Sequence, residues 1–424
     1  MLEVPEIDEM ICKELSHHNL AQCARVCKKW HRSAIPHLWH TLIIPTKHQE
    51  DEIYEHQESL RNMALEDYLY EQQLHLPSEG MKPQLSPFMP PLAKYGHWIR
   101  QLPQPAVLMH ELEPPIVFSQ PLEMPDPEIT TAELLRHVYK RCSNLQVHSL
   151  DVTEYYPFGD ISKTIAEFLL PTVRILSLHI SDPWYLKYLL NHCTDTLVEL
   201  SLRVNIIYDA TRNDKKDQQL QQESKTLESL KKLTLEKAYD DSESKSFWPW
   251  LFERCSHVER LEVVHLGQIH QILADNMLTY MPNVNEIRFG KDQHEDYILY
   301  DKDVATLLSG SRQGWKVVEF KQNIILIFGH VAQEALTKHF PTLEKLILDD
   351  RHDFWGYDLA PILLSSPNLH SLTAFAIDSL SLCSLKTWPY ETTLRVLKIR
   401  IVDIPRPDLR DYEILILRTL RVVS

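Results

Sequence analysis

Three cations near the C-terminal end are the strongest candidates for recognition chemistry. Lys398 and Arg400 alternate with Leu397 and Ile399, so an extended strand places both on one face, and Arg395 stands where that strand begins. Residues 386–424 carry eight Lys/Arg against five Asp/Glu in a chain whose formal net charge is −15. Such a basic trio can receive an acidic or phosphorylated peptide through charge-assisted hydrogen bonds, although ordinary solvated charge has the same sequence signature. Cys23, Cys27 and His31, at steps of four, suggest metal. An apolar helical stripe already accounts for both cysteines, however, and no paired Cys-x-x-Cys completes a tetrahedral set. Asp349-Asp350-Arg351-His352-Asp353 reads as a polar loop. With only nine glycines and no phosphate-cradling glycine motif, and with the 22 histidines dispersed, no catalytic residue, metal or cofactor is assigned.

These side chains need elements to hold them, and 424 residues suffice for more than one domain. A 44% hydrophobic fraction indicates a folded chain. The negative balance argues against nucleic acid as a general partner. Seven scattered cysteines fit a reducing, intracellular setting, cytoplasmic or nuclear, better than a disulfide framework. The opening MLEVPEIDEM lacks the apolar core of a signal peptide. No run approaches the roughly 20 apolar residues that span a bilayer, so no membrane is expected.

The dominant pattern is a repeat. The triplets are Leu145/His148/Leu150, Val173/Leu176/Leu178, Leu197/Leu200/Leu202, Leu230/Leu233/Leu235 and Val258/Leu261/Val263, followed by Val284/Ile287/Phe289, Trp315/Val318/Phe320, Leu343/Leu346/Leu348, Leu369/Leu372/Ala374 and Leu394/Leu397/Ile399. They recur every 24 to 33 residues, with an atypical unit at Ile99/Leu102. Ser201, Thr234, Glu262 and Arg288 fall between the last two positions and so point away from the core. Helical segments such as Thr131–Arg141 and Ile269–Tyr280 alternate with the triplets. Period and pattern predict an α/β leucine-rich-repeat solenoid over residues 99–424, with parallel strands on a concave face and helices on the convex face.

Upstream, Pro5 suits the first turn of a helix carrying Ile7, Ile11 and Leu15 at steps of four. Asn19 is expected to cap a second helix bearing Leu20, Cys23, Cys27 and Trp30, and Pro36 to turn the chain before Leu38 and Trp39. Some 40 residues of helix bury too little apolar surface to stand alone, so this face must meet another surface. The run Val4-Pro5-Glu6-Ile7, Ile11, Leu15, Leu20, Cys23, Val26-Cys27-Lys28-Lys29-Trp30, Leu38-Trp39 resembles an F-box, with Val4 in place of the usual leucine. The resemblance implies docking on the Skp1-like adaptor of a cullin-based ubiquitin ligase through Val4, Pro5, Ile7, Ile11, Leu15, Leu20, Cys23 and Val26. Cys27, Trp30, Leu38 and Trp39 would hold the head together. Residues 1–44 then form the head and 45–98 an acidic and proline-rich connector. LAKYGHWIRQL, residues 92–102, reads as a short helix running into a strand, as in fungal F-box proteins. The implied protein is a non-catalytic receptor whose repeats hold a target. The alternative is an interaction scaffold acting outside ubiquitin transfer.

Overall fold

The computed structural model describes residues 5–41, 62–71, 90–102, 130–152, 163–180, 183–193, 196–204, 226–238, 247–264, 270–290, 298–320, 325–326, 329–348, 362, 365–375 and 394–400. The chain forms two compact units, Met1–His179 with Lys187–Leu197, and Ile180–Leu186 with Val198–Ser424.

The first unit opens with three helices, α1 (Pro5–Glu14), α2 (His17–Val26) and α3 (Lys28–Leu38). Pro5 is the first residue of α1, where an amide donor has no intrahelical partner to lose. The α2 cap is Ser16 rather than Asn19: its hydroxyl accepts from the Asn19 amide at 3.3 Å. Pro36 lies inside α3, which ends two residues later at Leu38, so it does not turn the chain where expected. Cys12, Leu20 and Ala34 make the centre of this head, with Leu15, Cys23, Ala24, Trp30 and Leu38 packed around them.

The rest of this unit is a ladder. Helix α4 (Pro91–Tyr95) and a 3-10 turn (Gly96–Trp98) lead to Gln101, as the pattern of residues 92–102 predicts. Helix α5 (Thr131–Arg141) starts at a capping box in which Thr130 and Glu133 satisfy each other's backbone amides. Strand β1 (Val147–Val152), a π turn (Ile165–Leu169) and strand β2 (Ile175–Ile180) follow. Each rung is marked by one carbonyl that accepts two consecutive amides of the next. Arg100 and Gln101 donate to the His40 oxygen at 2.8 and 3.1 Å, Gln146 and Val147 to that of Arg100, and Arg174 and Ile175 to that of Gln146. Thr41 bridges Gln101, and Gln101 bridges Val147, both in parallel sense. The ladder therefore begins on the last residues of the head.

Helix α6 (Pro183–His192) precedes the strands of the second unit. In chain order these are β3 (Glu199–Val204), β4 (Lys232–Ala238), β5 (Arg260–Val263), β6 (Glu286–Phe289), β7 (Ile298–Leu299), β8 (Val317–Phe320), β9 (Ile325–Leu326), β10 (Lys345–Leu348), β11 (Ser371–Phe375) and β12 (Val396–Arg400). Helices α7 (Phe247–Arg254), α8 (His270–Tyr280), α9 (Asp301–Leu308) and α10 (His330–Thr337) alternate with them, each packed against the next. The strands lie in the order β3-β4-β5-β6-β8-β10-β11-β12, while β7 and β9 make a separate pair. Every strand pairing described in this unit is parallel. Parallel neighbours need a crossover, which the helices supply in most repeats.

The register pairs the triplets position by position: Leu233 opposite Leu261, Leu261 opposite Ile287, and Val318 opposite Leu346. Every triplet residue whose side chain is described is buried. Phe289 and Phe320 fill successive third positions and stack at 4.5 Å with planes 2° apart. The turn before each triplet is clipped to its predecessor. The Asn283 amide donates to the Ser256 oxygen at 3.2 Å, Asn368 to that of Pro341 at 2.8 Å, and the Thr342 hydroxyl to that of Trp315 at 3.0 Å. Polar residues thus recur just before the leading aliphatic because each ties one repeat to the last. Cys142 and Cys255 are buried at these corners, as their matching positions predict, and burial pushes both thiols up to about 12. The second unit is an α/β arrangement of parallel strands alternating with helices, consistent with a repeat architecture of the solenoid kind, and the first unit opens with the helical head.

Candidate functional site

Two surfaces carry the functional candidates. On the head, α2 packs on α3 and α1 on α3, burying the stripe that helical spacing creates. Lys29 Nζ reaches Asp8 Oδ2 at 2.8 Å and ties α3 to α1. The His31 Nδ1 lies 3.0 Å from the Ala24 carbonyl and links α3 to α2. Burial, with help from Cys23 and Asp8, raises the Cys12 thiol above its ordinary range. Apolar side chains nonetheless stand outside this core: Met10 is 67% exposed, Ile11 41% and Val26 70%. A small domain does not stabilise itself with such residues, so they are where another surface can gain contact.

The expected docking residues divide. Ile11 and Val26 are exposed, whereas Leu20, only 5% exposed, is in the head's own core, and Leu15 and Cys23 pack against it. Leu20 was expected to face a partner, but α3 already covers that side of α2. Val4 and the side chains of Pro5 and Ile7 lie outside the described residues. Among the expected core residues, Trp30 and Leu38 pack on the central cluster. Cys27 is exposed and requires correction: it lies between α2 and α3 at φ −159° and ψ 169°, so the stripe counted through it is broken by extended backbone. Trp39 stacks on Tyr95 at 4.5 Å, so it fastens the head to α4 rather than helix to helix within the head. Met10 was missed because it falls off the step-of-four series.

The second surface is the outward side of the strands in the second unit. Parallel register brings their charges into rows. Lys232 lies between Glu199 (3.5 Å) and Glu262 (3.4 Å). Arg260 Nε meets Glu286 Oε2 at 2.6 Å, and Arg288 then joins Glu286 (3.3 Å) to Glu319 (3.4 Å). Lys345 reaches Glu319 at 3.7 Å, while Lys231–Glu259 and Lys316–Glu344 pair at the strand starts at 2.6 and 3.1 Å. Burial alone would raise the Glu286 carboxyl, but the hydrogen bonds and charges of Arg260 and Arg288 outweigh it and lower it. The Glu286 hydrogen bond conversely raises Arg260.

At the C-terminal end of this surface, β12 pairs Lys398 with Thr373 and Arg400 with Phe375, opposite in phase to Leu397 beside buried Leu372. The side chains of Lys398 and Arg400 lie outside the described ones. Arg395 is exposed where β12 begins, and its amide donates to the His370 carbonyl at 2.8 Å. The loop 349–353 and the aromatics Trp184, Tyr185, Phe354 and Trp355 also lie outside the described side chains. Trp248 is buried and Trp250 lies under the Arg254 guanidinium at 3.9 Å, so both pack within α7.

A buried polar cluster also went unread in the sequence. Residues 62–71, within the acidic and proline-rich connector, are helical. Asp67 on this helix is fully buried, with Oδ2 2.5 Å from His137 Nε2 and 2.8 Å from Arg141 Nε. Glu71 lies 3.2 Å from His137 Nδ1 and 3.5 Å from Arg141 Nη2. Burial would raise the Asp67 carboxyl, but hydrogen bonds from His137 and Arg141 prevail and lower it. Its signal was two residue pairs at steps of four, Asp67/Glu71 and His137/Arg141, which face each other across helices.

Among the described residues, no group of three or more His, Cys, Asp or Glu is placed to hold a metal ion. No helix there is long and apolar enough to cross a membrane. The chain thus combines a small helical head with α/β repeats. The F-box-like family profile matches residues 5–45, so an F-box-like domain is present. No curated protein matches the chain. The domain's identity supports a protein-interaction or adaptor role and is consistent with a non-catalytic one.

Proposed function

We propose that this protein is the target-recognition subunit of a Skp1–cullin–F-box ubiquitin ligase. The head docks on a Skp1-like adaptor, and through it on cullin. The repeats, read as leucine-rich repeats over residues 99–424, hold a target protein so that its lysines reach a ubiquitin-charged enzyme. The contribution to rate is proximity and orientation, with no bond made or broken by this chain. An intracellular setting, cytoplasmic or nuclear, goes with this reading. Residues 1–44 serve as the docking head, 45–98 as connector, and Arg395, Lys398 and Arg400 as the contact for an acidic or phosphorylated segment of the target.

The observation that carries the reading is an F-box-like head that leaves Met10, Ile11 and Val26 exposed while its own core is filled. The test is co-purification with Skp1. Val26→Asp changes an exposed side chain, so it reads docking rather than folding. Leu20→Asp would place a carboxylate in the core and unfold the head. Wild type should retain Skp1 and Val26→Asp should lose about ten-fold in affinity, the order of one well-buried apolar contact. Wild type that never retains Skp1 sinks the reading and leaves an interaction scaffold outside ubiquitin transfer.

A further inference from the structure

The corner where α2 meets α3 gathers exposed cations that are unmatched among the described residues. From Leu15 to Gln49 the sequence contains no Asp or Glu, yet it contains Arg25, Lys28, Lys29, Arg32 and Lys47. Asp8, brought in from α1, takes Lys29. Arg25, Lys28 and Arg32 are exposed and have no acidic partner among the described residues. Lys28 and Arg32 are one helical turn apart on α3 and so share a side of that helix, and Arg25 is in the last turn of α2. With Ala24, Cys27 and His31 they line an open recess of about 340 Å³. Val26, the most exposed large apolar side chain among those described on the head, lies between Arg25 and this helix junction in sequence.

We infer that this corner is the electrostatic contact of the docking face, and that it receives a carboxylate-bearing surface of the adaptor around the Val26 contact. The inference rests on the adaptor reading above and adds the chemistry of the partner. Charge complementarity carries it. The chain has a net charge of −15, so an acidic partner is opposed by the chain as a whole and drawn to places where cations lie unmatched, as they do at this corner. Cations that served only solubility would be interspersed with carboxylates, as they are on the strand surface. A nucleic acid is the poorer occupant, because the exposed apolar side chain of Val26 follows directly on Arg25 and gives a phosphate backbone nothing to contact. Exposed charges at the edge of an apolar contact act chiefly on the rate of encounter.

The experiment measures association and dissociation rates of the full chain with purified Skp1 at about 0.1 M and about 1 M salt, where screening lengths are roughly 10 and 3 Å. For wild type the association rate should fall as salt rises. The combined Arg25→Glu, Lys28→Glu, Arg32→Glu variant should associate about ten-fold more slowly at the lower salt, with dissociation within about two-fold of wild type. Arg25→Lys with Arg32→Lys, which keeps charge and changes shape, should keep the wild-type rate. Adaptor binding with salt-independent rates, unchanged in the reversed variant, overturns the inference and leaves the adaptor reading standing. Absence of any Skp1 binding by wild type overturns both. Retention of a short DNA duplex by wild type and not by the reversed variant, with adaptor rates unchanged, assigns the corner to nucleic acid and also overturns the inference.

Discussion

The strand surface of the second unit and the α2–α3 corner of the head both display cations, but they use them differently. On the strands, Lys231, Lys232, Arg260, Arg288, Lys316 and Lys345 each meet a glutamate on the same or a neighbouring strand. On the head, Arg25, Lys28 and Arg32 meet none among the described residues. A partner approaching the strands must compete with pairs already made; one approaching the corner displaces only water and counterions. Charge count alone therefore says little about where a protein binds. What matters is whether the fold has already matched the charges.

The comparison can be broken by mutation. The largest effect is expected in the buried cluster, where pairing is strongest. Asp67→Ala leaves His137 and Arg141 with only the partly exposed Glu71 carboxylate and should cost about 3 kcal/mol in denaturant unfolding of the first unit. The pH dependence follows in sign. Because the folded Asp67 carboxyl is held below its ordinary value, its contribution is fully present above about pH 4 and is lost as pH falls through the folded value. Asp67→Asn should thus be less stable at neutral pH, yet lose less stability than wild type on acidification. A wild-type profile no steeper than the variant's would contradict the assigned pairing.

Glu286 tests the middle of the range. It bridges Arg260 and Arg288, and Glu286→Gln should cost about 1 kcal/mol, less at high salt, since the pairs are partly solvated. The smallest effect belongs to the corner. Arg32→Gln should change unfolding by no more than about 0.5 kcal/mol, because an exposed, unmatched cation holds nothing in place. If Arg32→Gln proved as costly as Glu286→Gln, the distinction between the two surfaces would fail.

Much of the ladder is legible in the chain itself. Leu261, Ile287 and Val318 are buried and in register as their spacing predicts, because one side-chain period determines both burial and pairing. Helix α5 falls on the expected Thr131–Arg141, where a capping box marks its start. Lys398 and Arg400 share a strand, as alternation predicts. What could not be read depends on contacts between distant segments. Arg260 and Glu286 are 26 residues apart and become neighbours only through register. Leu20 and Ile11 look alike in a helical stripe, and only the packing of α3 decides that one is covered and the other exposed. Cys27 was misplaced because a single extended residue between helices resets the phase of the stripe.

The two amides that close on the His40 carbonyl have a mechanical consequence. With Trp39 lying flat on Tyr95 beside them, the end of α3 is fastened to the rung at Gln101 by backbone and side chain together. The amides of Arg100 and Gln101 should exchange with heavy water on the timescale of the following rung rather than that of a loop. Whatever grips the head then sets the tilt of that rung, as a hand on the hilt aims the blade.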